Sequence, residues 1–459
     1  MNAIVLAPLW GVIMMFTGIF SKRTSVVRIV AVTGISLLLL STIAEIGGNT
    51  FFPFNTRNML VFDNFSLLFN AIAFGAMLLY FLLSGRDIAK VGTNEPDYYA
   101  LLFFIMAGVT IASSFNNLLM LFLGIEIISI PLYILTGSDK RNLKSNEASL
   151  KYFLMGAFST GLMLMGIALV YGSKGSFDMS VISKGNETMT PMMSAGLLML
   201  TFSMAFKVSA APFHFWTPDV YDGAPGVFTS FMATIVKVAA FIAFIRLFKG
   251  AFAEMQAQWQ MIIGIITAAT LIIGNITAVF QQSVKRMLAY SSIAQAGFMM
   301  LAIVALNGMA LEGILFYAAA YCLSTIGAFA ILIRMKDYTY DGFNGMAKHH
   351  PALAAANAIF ILSLAGIPAT AGFMAKFYML SSVINTGKMF WLVAVGVVCA
   401  AISVYYYFRV IQAMYFKEGE KQEIETGPGF KLLLGITAAF IIFLGIFPHW
   451  LIEKMYYFF

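Results

Sequence analysis

The chain has 459 residues, 60% of them hydrophobic and only 11% charged. Soluble domains carry about 25% charged residues, so a water-soluble enzyme or nucleic-acid-binding fold is excluded and a polytopic membrane protein is expected. The net charge of +7 then reports which loops face which side of the bilayer rather than a nucleic-acid partner.

The predicted elements are helices, since a crossing needs about 20 apolar residues. Fourteen segments fit: 3–20, 26–46, 60–84, 99–116, 117–137, 149–172, 191–211, 225–248, 259–280, 287–306, 309–333, 352–385, 389–416 and 430–451. No basic residue precedes the first run, and Lys22 and Arg23 follow it, so it reads as an uncleaved span. Spans 4 and 5 meet at Asn116–Asn117 with almost no loop. Span 7 runs into Phe206–Pro225, FKVSAAPFHFWTPDVYDGAP, where Pro212 lacks an amide hydrogen and clashes with the carbonyl four residues back. A helix crossing there ends or kinks, and its freed backbone groups need protein or water beside them. Span 12 is too long for one straight crossing and contains Gly366, Pro368 and Gly372, which predicts a second broken helix. Cys322 and Cys399 lie in apolar runs with no metal or redox motif and read as free thiols.

With the N-terminus outside, 16 basic residues fall on the inner side, among them Lys22, Arg28, Arg86, Lys90, Arg286, Arg334 and Lys421. Only 7 fall on the outer side, among them Arg57, Arg246, Lys388 and Lys454. The bias sets this orientation, with both termini outside. Spans 4–8 and 9–13 form two blocks of five, each with a lysine-bearing, proline-interrupted helix in spans 7 and 12. Five is odd, so the blocks are inverted relative to each other, a transporter architecture. The expected division is 1–98 (three N-terminal spans), 99–248 and 259–416 (the two five-helix repeats) and 430–459 (the last helix).

A charge at mid-bilayer costs about 2.5–3.5 kcal/mol on insertion scales. Glu126 lies near the middle of span 5, Lys207 in the inner half of span 7, Lys237 near the middle of span 8, and Lys376 just past the break in span 12. Ser230, Thr234 and Lys237 fall at i, i+4 and i+7, on one face of an α-helix. Lys151 is a turn or so into span 6, where it either snorkels to the inner surface or faces the bundle interior. Glu126 and Lys207 read as a structural ion pair or as a proton-carrying pair. His214 reads as a helix-end hydrogen-bonder or as a proton carrier. A buried lysine whose proton affinity shifts with a neighbouring charge suits proton exchange. Ser291 and Gln295 of span 10, with Tyr317, Tyr321 and Ser324 of span 11, are candidate links, or else ordinary interhelical glue. Arg409, beside Tyr405, Tyr406 and Tyr407, reads as an inner-interface anchor. No glycine-rich dinucleotide fingerprint, P-loop, CxxC or intramembrane histidine pair is present. The chain is therefore expected to hold no flavin, nicotinamide, iron–sulfur cluster, haem or metal.

The pattern PFHFW, then PD, then AP, at Phe206–Pro225 resembles the antiporter-like proton-channel family shared by respiratory complex I and the multisubunit cation/proton antiporters. NNLLMLFLGIEIISIPLYIL around Glu126, EASLKYFLMGAFSTG around Lys151, SVKRMLAYSSIAQAGF at Ser283–Phe298 and LAGIPATAGFMAKFYML around Lys376 extend the resemblance over nearly the whole chain. The form TPDVYDGAP is similar to one branch of the complex I subunits. The resemblance implies roles: Glu126 the acid of span 5, Lys207 its partner, Lys151 a further lysine, Lys237 the connecting residue, and Lys376 the terminal residue. His214 matches the histidine after the first break, and Lys285 the basic residue before span 10. It further implies an all-α proton-translocating subunit of NADH–quinone oxidoreductase in a bacterial inner (plasma) membrane. Its partners there are antiporter-like neighbours and small membrane subunits, with flavin and iron–sulfur clusters in partner chains and quinone as the substrate of the complex. The alternative within the family is a subunit of a sodium/proton antiporter or of a membrane-bound hydrogenase.

Overall fold

In a computed structural model of the chain, residues 1–21, 23–92, 94–184, 190–420 and 424–456 are described. Lys22 and Lys421, two of the residues assigned to the inner side, lie outside these, and the side chain of Lys454 is also not described. Twelve helices are long and apolar enough to cross a membrane: Asn2–Phe20, Thr24–Ile46, Asn64–Ile88, Glu95–Ser114, Leu118–Thr136 and Leu143–Lys174 (spans 1–6), Gly226–Ala251, Ala253–Val279, Val284–Ala305 and Gly308–Leu332 (spans 8–11), and Phe390–Phe416 and Pro428–Ile446 (spans 13 and 14). Span 7 is interrupted, with helices Pro191–Lys207 and Trp216–Gly223. Span 12 is interrupted between Pro351–Ala365 and Ala371–Ile384. The protein is thus all-helical, with fourteen crossings.

Local sequence sets several of the starts. Asp63, Asn117, Asn142, Thr190, Ser283 and Asn307 each accept a hydrogen bond from a first-turn amide, at the starts of spans 3, 5, 6, 7, 10 and 11, satisfying donors the helix itself leaves open. Several spans shift by a few residues from the expected limits, and two of the differences have a plain cause. Span 6 is 32 residues, about 48 Å at 1.5 Å per residue, longer than the ~30 Å hydrocarbon layer. It therefore overruns that layer. Span 14 stops at Ile446 rather than 451 because Pro448 follows, and a short helix, His449–Tyr456, begins beyond it.

Burial sorts the crossings. Span 10 is buried over 94% of its apolar window and spans 8 and 11 over 89%, against 22% for span 1 and 28% for span 14. Spans 8, 10 and 11 are the core of the bundle, and spans 1 and 14 turn Leu9, Phe16, Leu432 and Ile436 outward, toward lipid. The two five-helix repeats pack their first pairs alike. A Cβ on Gly124 would lie 2.9 Å from the backbone nitrogen of Ala112, between spans 5 and 4. A Cβ on Gly274 would lie 2.6 Å from that of Ala294, between spans 9 and 10. Both pairs close to backbone contact, the small-residue packing typical of membrane helices. At the end of span 8, Arg246 donates to the carbonyls of Phe115 (2.6 Å) and Val61 (3.1 Å) and pairs with Asp63 (2.8 Å). It thereby ties the core to the spans 4–5 junction.

Candidate functional site

The first centre lies where span 7 breaks. Its first helix ends at Lys207, so the lysine stands at a helix C-terminus, which favours a cation. The break's backbone is satisfied from neighbours: Trp216 Nε1 donates to the Phe206 carbonyl (3.1 Å), and Thr270 Oγ1 of span 9 accepts from the Ala211 amide (2.9 Å). Lys207 Nζ donates to Ser129 Oγ at 3.0 Å and stands 3.9 Å from Glu126 Oε1. Thr160 of span 6 donates to the same Glu126 oxygen at 2.7 Å. Glu126 and Ser129 are one helical turn apart, so the lysine addresses both from one side. The pair is long for an ion pair, and the ammonium's short bond is to a hydroxyl.

The second centre is Lys237, which is buried and donates to Ser292 Oγ (2.9 Å) and the Ser292 carbonyl (3.0 Å) of span 10. No carboxylate lies within ion-pair distance of it among the described residues. A π-turn, Met232–Val236, immediately precedes it. The expected shared face of Ser230, Thr234 and Lys237 assumed 3.6 residues per turn. The wider turn breaks that register, and Thr234 donates instead to the Ser230 carbonyl (2.6 Å). Such turns are frequent at functional sites.

The third centre is Lys376, buried in the helix after the span 12 break. Its ammonium donates to the Ala365 carbonyl (2.8 Å) and lies 4.7 Å from the centre of the Phe298 ring. The neighbouring Leu364 carbonyl accepts from Gln295 Nε2 (2.8 Å), and Gln295 is also bonded by the hydroxyls of Tyr317 and Tyr407. Tyr407 in turn bonds Ser291. Ser292 thus serves Lys237, while its neighbour Ser291, Tyr407 and Gln295 are bonded in sequence up to the Leu364 carbonyl, next to the carbonyl that holds Lys376. Beside them Gln295, Tyr317, Ser324 and Ser363 line a cavity of about 10 Å³, close to the least that one water occupies. Ser324 donates to Ser363 (2.8 Å), and Tyr321 also lines the cavity.

Lys151 is placed elsewhere. It is partly exposed and sits between Glu147 (2.7 Å) and Asp219 (2.9 Å), and Arg286 holds the other Asp219 oxygen (3.1 Å). It makes no bond to Glu126 or Lys207. This cluster lines an open cavity of about 240 Å³ with Lys144 and Asp222. Lys285 is buried and donates to the Asp222 and Ala224 carbonyls (2.6 and 2.8 Å), so it closes the short helix after the first break. His214 is buried with its ring stacked on Phe215.

Sequence reasoning missed Ser129, Thr160, Ser292, Ser363, Asp219 as the partner of Lys151, and Tyr407. The tyrosine triplet is split: Tyr405 is 60% exposed, whereas Tyr406 is buried against Asn275 and Tyr407 points into the network. Only Tyr405 and Arg409, which bonds the Val279 carbonyl and covers the Tyr340 ring, fit the expected anchor. The i+3 spacing of Ser129 from Glu126 was a usable signal. For Tyr407 there was none.

Over residues 115–403 the chain matches the family described as NADH:quinone oxidoreductase/Mrp antiporter, TM. The NADH-quinone oxidoreductase subunit N of Cytophaga hutchinsonii is 39% identical over 464 residues, covering 99% of each chain. A chain of respiratory complex I from Thermus thermophilus with bound aureothin superposes with a TM-score of 0.85 at 29% identity, covering 98% of each chain. A chain of the Mrp complex from Dietzia sp. DQ12-45-1b gives a TM-score of 0.86 at 18% identity, covering 99% of this chain and 95% of that one. At that identity the likeness is one of fold.

Proposed function

Because this chain belongs to the NADH:quinone oxidoreductase/Mrp antiporter membrane family, alongside relatives named NADH-quinone oxidoreductase subunit N, we propose that it translocates protons as a membrane subunit of that complex through a relay of buried lysines. Glu126 and Lys207 form the responsive pair, Lys237 the connecting site and Lys376 the terminal site, with His214 at the first break and Lys151 at the inner mouth. Quinone reduction elsewhere in the complex changes the Glu126–Lys207 interaction. Protonation then passes from Lys207 by way of Lys237 to Lys376. Electron carriers are assigned to partner subunits, and this chain supplies proton chemistry only. The chain lies in a bacterial inner membrane with both termini outside, packed against antiporter-like and small membrane subunits.

The observation that carries this reading is the position of the Lys207 ammonium, 3.0 Å from a hydroxyl and 3.9 Å from a carboxylate. Moving it toward Glu126 strengthens the ion pair and favours the protonated amine, and moving it away favours proton release. The test is proton uptake driven by NADH oxidation in liposomes holding the assembled complex. Glu126→Gln and Lys207→Met are each expected to reduce it about ten-fold or more, below the range typical of a positioned proton-transfer group, while native gels still show assembled complex. Variants that assemble poorly, but whose surviving complex pumps at the normal rate, would assign the pair a structural role instead.

A further inference from the structure

A cavity of about 580 Å³ plays no part in the relay. It lies at the basic ends of spans 2, 3, 11 and 14 and is lined by Arg28, Arg86, Lys90 and Arg334, against the acids Asp87 and Glu425. The charges are unequally committed. Asp87 is buried and held by Arg334 (3.3 Å) and Lys90 (3.1 Å). Arg334 also donates to the Leu83 carbonyl (3.1 Å) and covers the Phe430 ring at 3.4 Å, so it is fixed as a wall of the cavity. Glu425 is almost fully exposed and only 3.9 Å from Lys90. Arg28 and Arg86 make no hydrogen bond or ion pair among the described residues.

The apolar part of the lining is placed in a definite relation to these two arginines. Val32 follows Arg28 by four residues on span 2, and Leu82 precedes Arg86 by four on span 3. Each therefore lies one turn, about 5.4 Å, deeper on the same helix face as its arginine. Leu82 is half exposed, and Ile29 and Leu40 of span 2 and Leu432 of span 14 are more so. The cavity thus offers two guanidinium groups without short hydrogen bonds at its mouth, Arg28 feeling the charge of the nearby Glu95, and hydrocarbon directly beneath. A soluble phosphate compound would leave that apolar floor unused, whereas an acidic protein segment would have to cross it.

We propose that this cavity binds the phosphate headgroup of an anionic phospholipid, with Arg28 and Arg86 on the phosphate and the acyl chains running down past Val32 and Leu82. Guanidinium matches phosphate with paired donors, and basic pockets between spans on the inner side are suited to such headgroups. The lipid would join spans 2 and 3 to span 14, which leaves most of its own surface uncovered. This assignment is independent of the proton relay.

The test uses the assembled complex in zwitterionic nanodiscs with a photoreactive phosphatidylglycerol analogue, and mass spectrometry maps the labelled peptides. Labelling is expected in spans 2 and 3 around Val32 and Leu82, with a phosphatidylcholine analogue labelling them far less. Arg28→Gln with Arg86→Gln should weaken labelling about 30-fold, roughly 5-fold for each charge removed. Arg28→Lys with Arg86→Lys should retain most of it, and Arg141→Gln, on a loop away from the cavity, should change nothing. The proposal is overturned if wild type takes both analogues equally, if inorganic phosphate at millimolar level competes the label away, or if the cavity stays unlabelled because a neighbouring subunit fills it. The wild-type comparison decides the matter even if the double glutamine variant does not assemble.

Discussion

Each of the three central lysines is held by a different kind of acceptor. Lys207 has a hydroxyl near and a carboxylate farther off, Lys237 a serine hydroxyl and its carbonyl, and Lys376 a single carbonyl exposed by a helix break. Hydroxyl and carbonyl oxygens hydrogen-bond an ammonium without neutralising it, so proton occupancy at such a site depends on nearby charge rather than on a fixed counter-ion. Tyr407 joins Ser291 of the core to Gln295 beside the span 12 break, because its hydroxyl serves both. Tyr407→Phe leaves those groups with one partner fewer, a cost of about 1–3 kcal/mol for a buried polar group. The expected outcome is a lowered melting temperature of the complex together with slower proton uptake. Tyr405→Phe, two residues away and exposed, is expected to alter neither. Equal effects of the two substitutions would contradict the assignment of Tyr407 to the network.

Among the elements, the broken helices of spans 7 and 12 carry two of the three buried lysines, because their interruptions expose backbone groups to polar side chains. Both breaks were legible, the first from Pro212 and the second from Pro368 with Gly366 and Gly372, since proline's missing donor is a local property. The apolar lengths of the other spans were legible for the same kind of reason. The π-turn before Lys237 was not, because an extra residue in a turn leaves no mark on composition and shifts the register of Ser230 and Thr234. Nor was the inward turn of Tyr407, since span 13 is apolar around most of its circumference and periodicity does not pick out its buried side. Lys151 sits on a helix that overruns the hydrocarbon layer, and its partner Asp219 is 68 residues away, a pairing that only tertiary packing creates. The span 12 break also depends on Gly372, whose absent Cβ would fall 1.7 Å from the Ser363 carbonyl oxygen. Gly372→Ala must displace one backbone against the other and is expected to cost about 1–3 kcal/mol, read as a drop in melting temperature with loss of pumping. Gly161→Ala, on an exposed face of span 6 with nothing within 4 Å, should be neutral or stabilise by up to about 1 kcal/mol. If both variants melt alike, the close approach at the break is not as described.

Across the whole molecule, the arrangement is a rigid core of spans 8, 10 and 11 with the interrupted spans of the two repeats on either side. The core carries Lys237, Ser291, Ser292, Gln295, Tyr317 and Ser324, while the breaks carry Lys207 and Lys376. If Lys237 connects the two interrupted helices, as proposed, removing it should stop transfer even with Lys207 and Lys376 intact. The direct measurement is the rate of NADH-driven proton uptake by liposomes containing the assembled complex with Lys237→Met, an apolar side chain of similar length. A fall of about 100-fold, the lower end of what a positioned proton-transfer group contributes, is the predicted result. Uptake at the wild-type rate per assembled complex would contradict the relay.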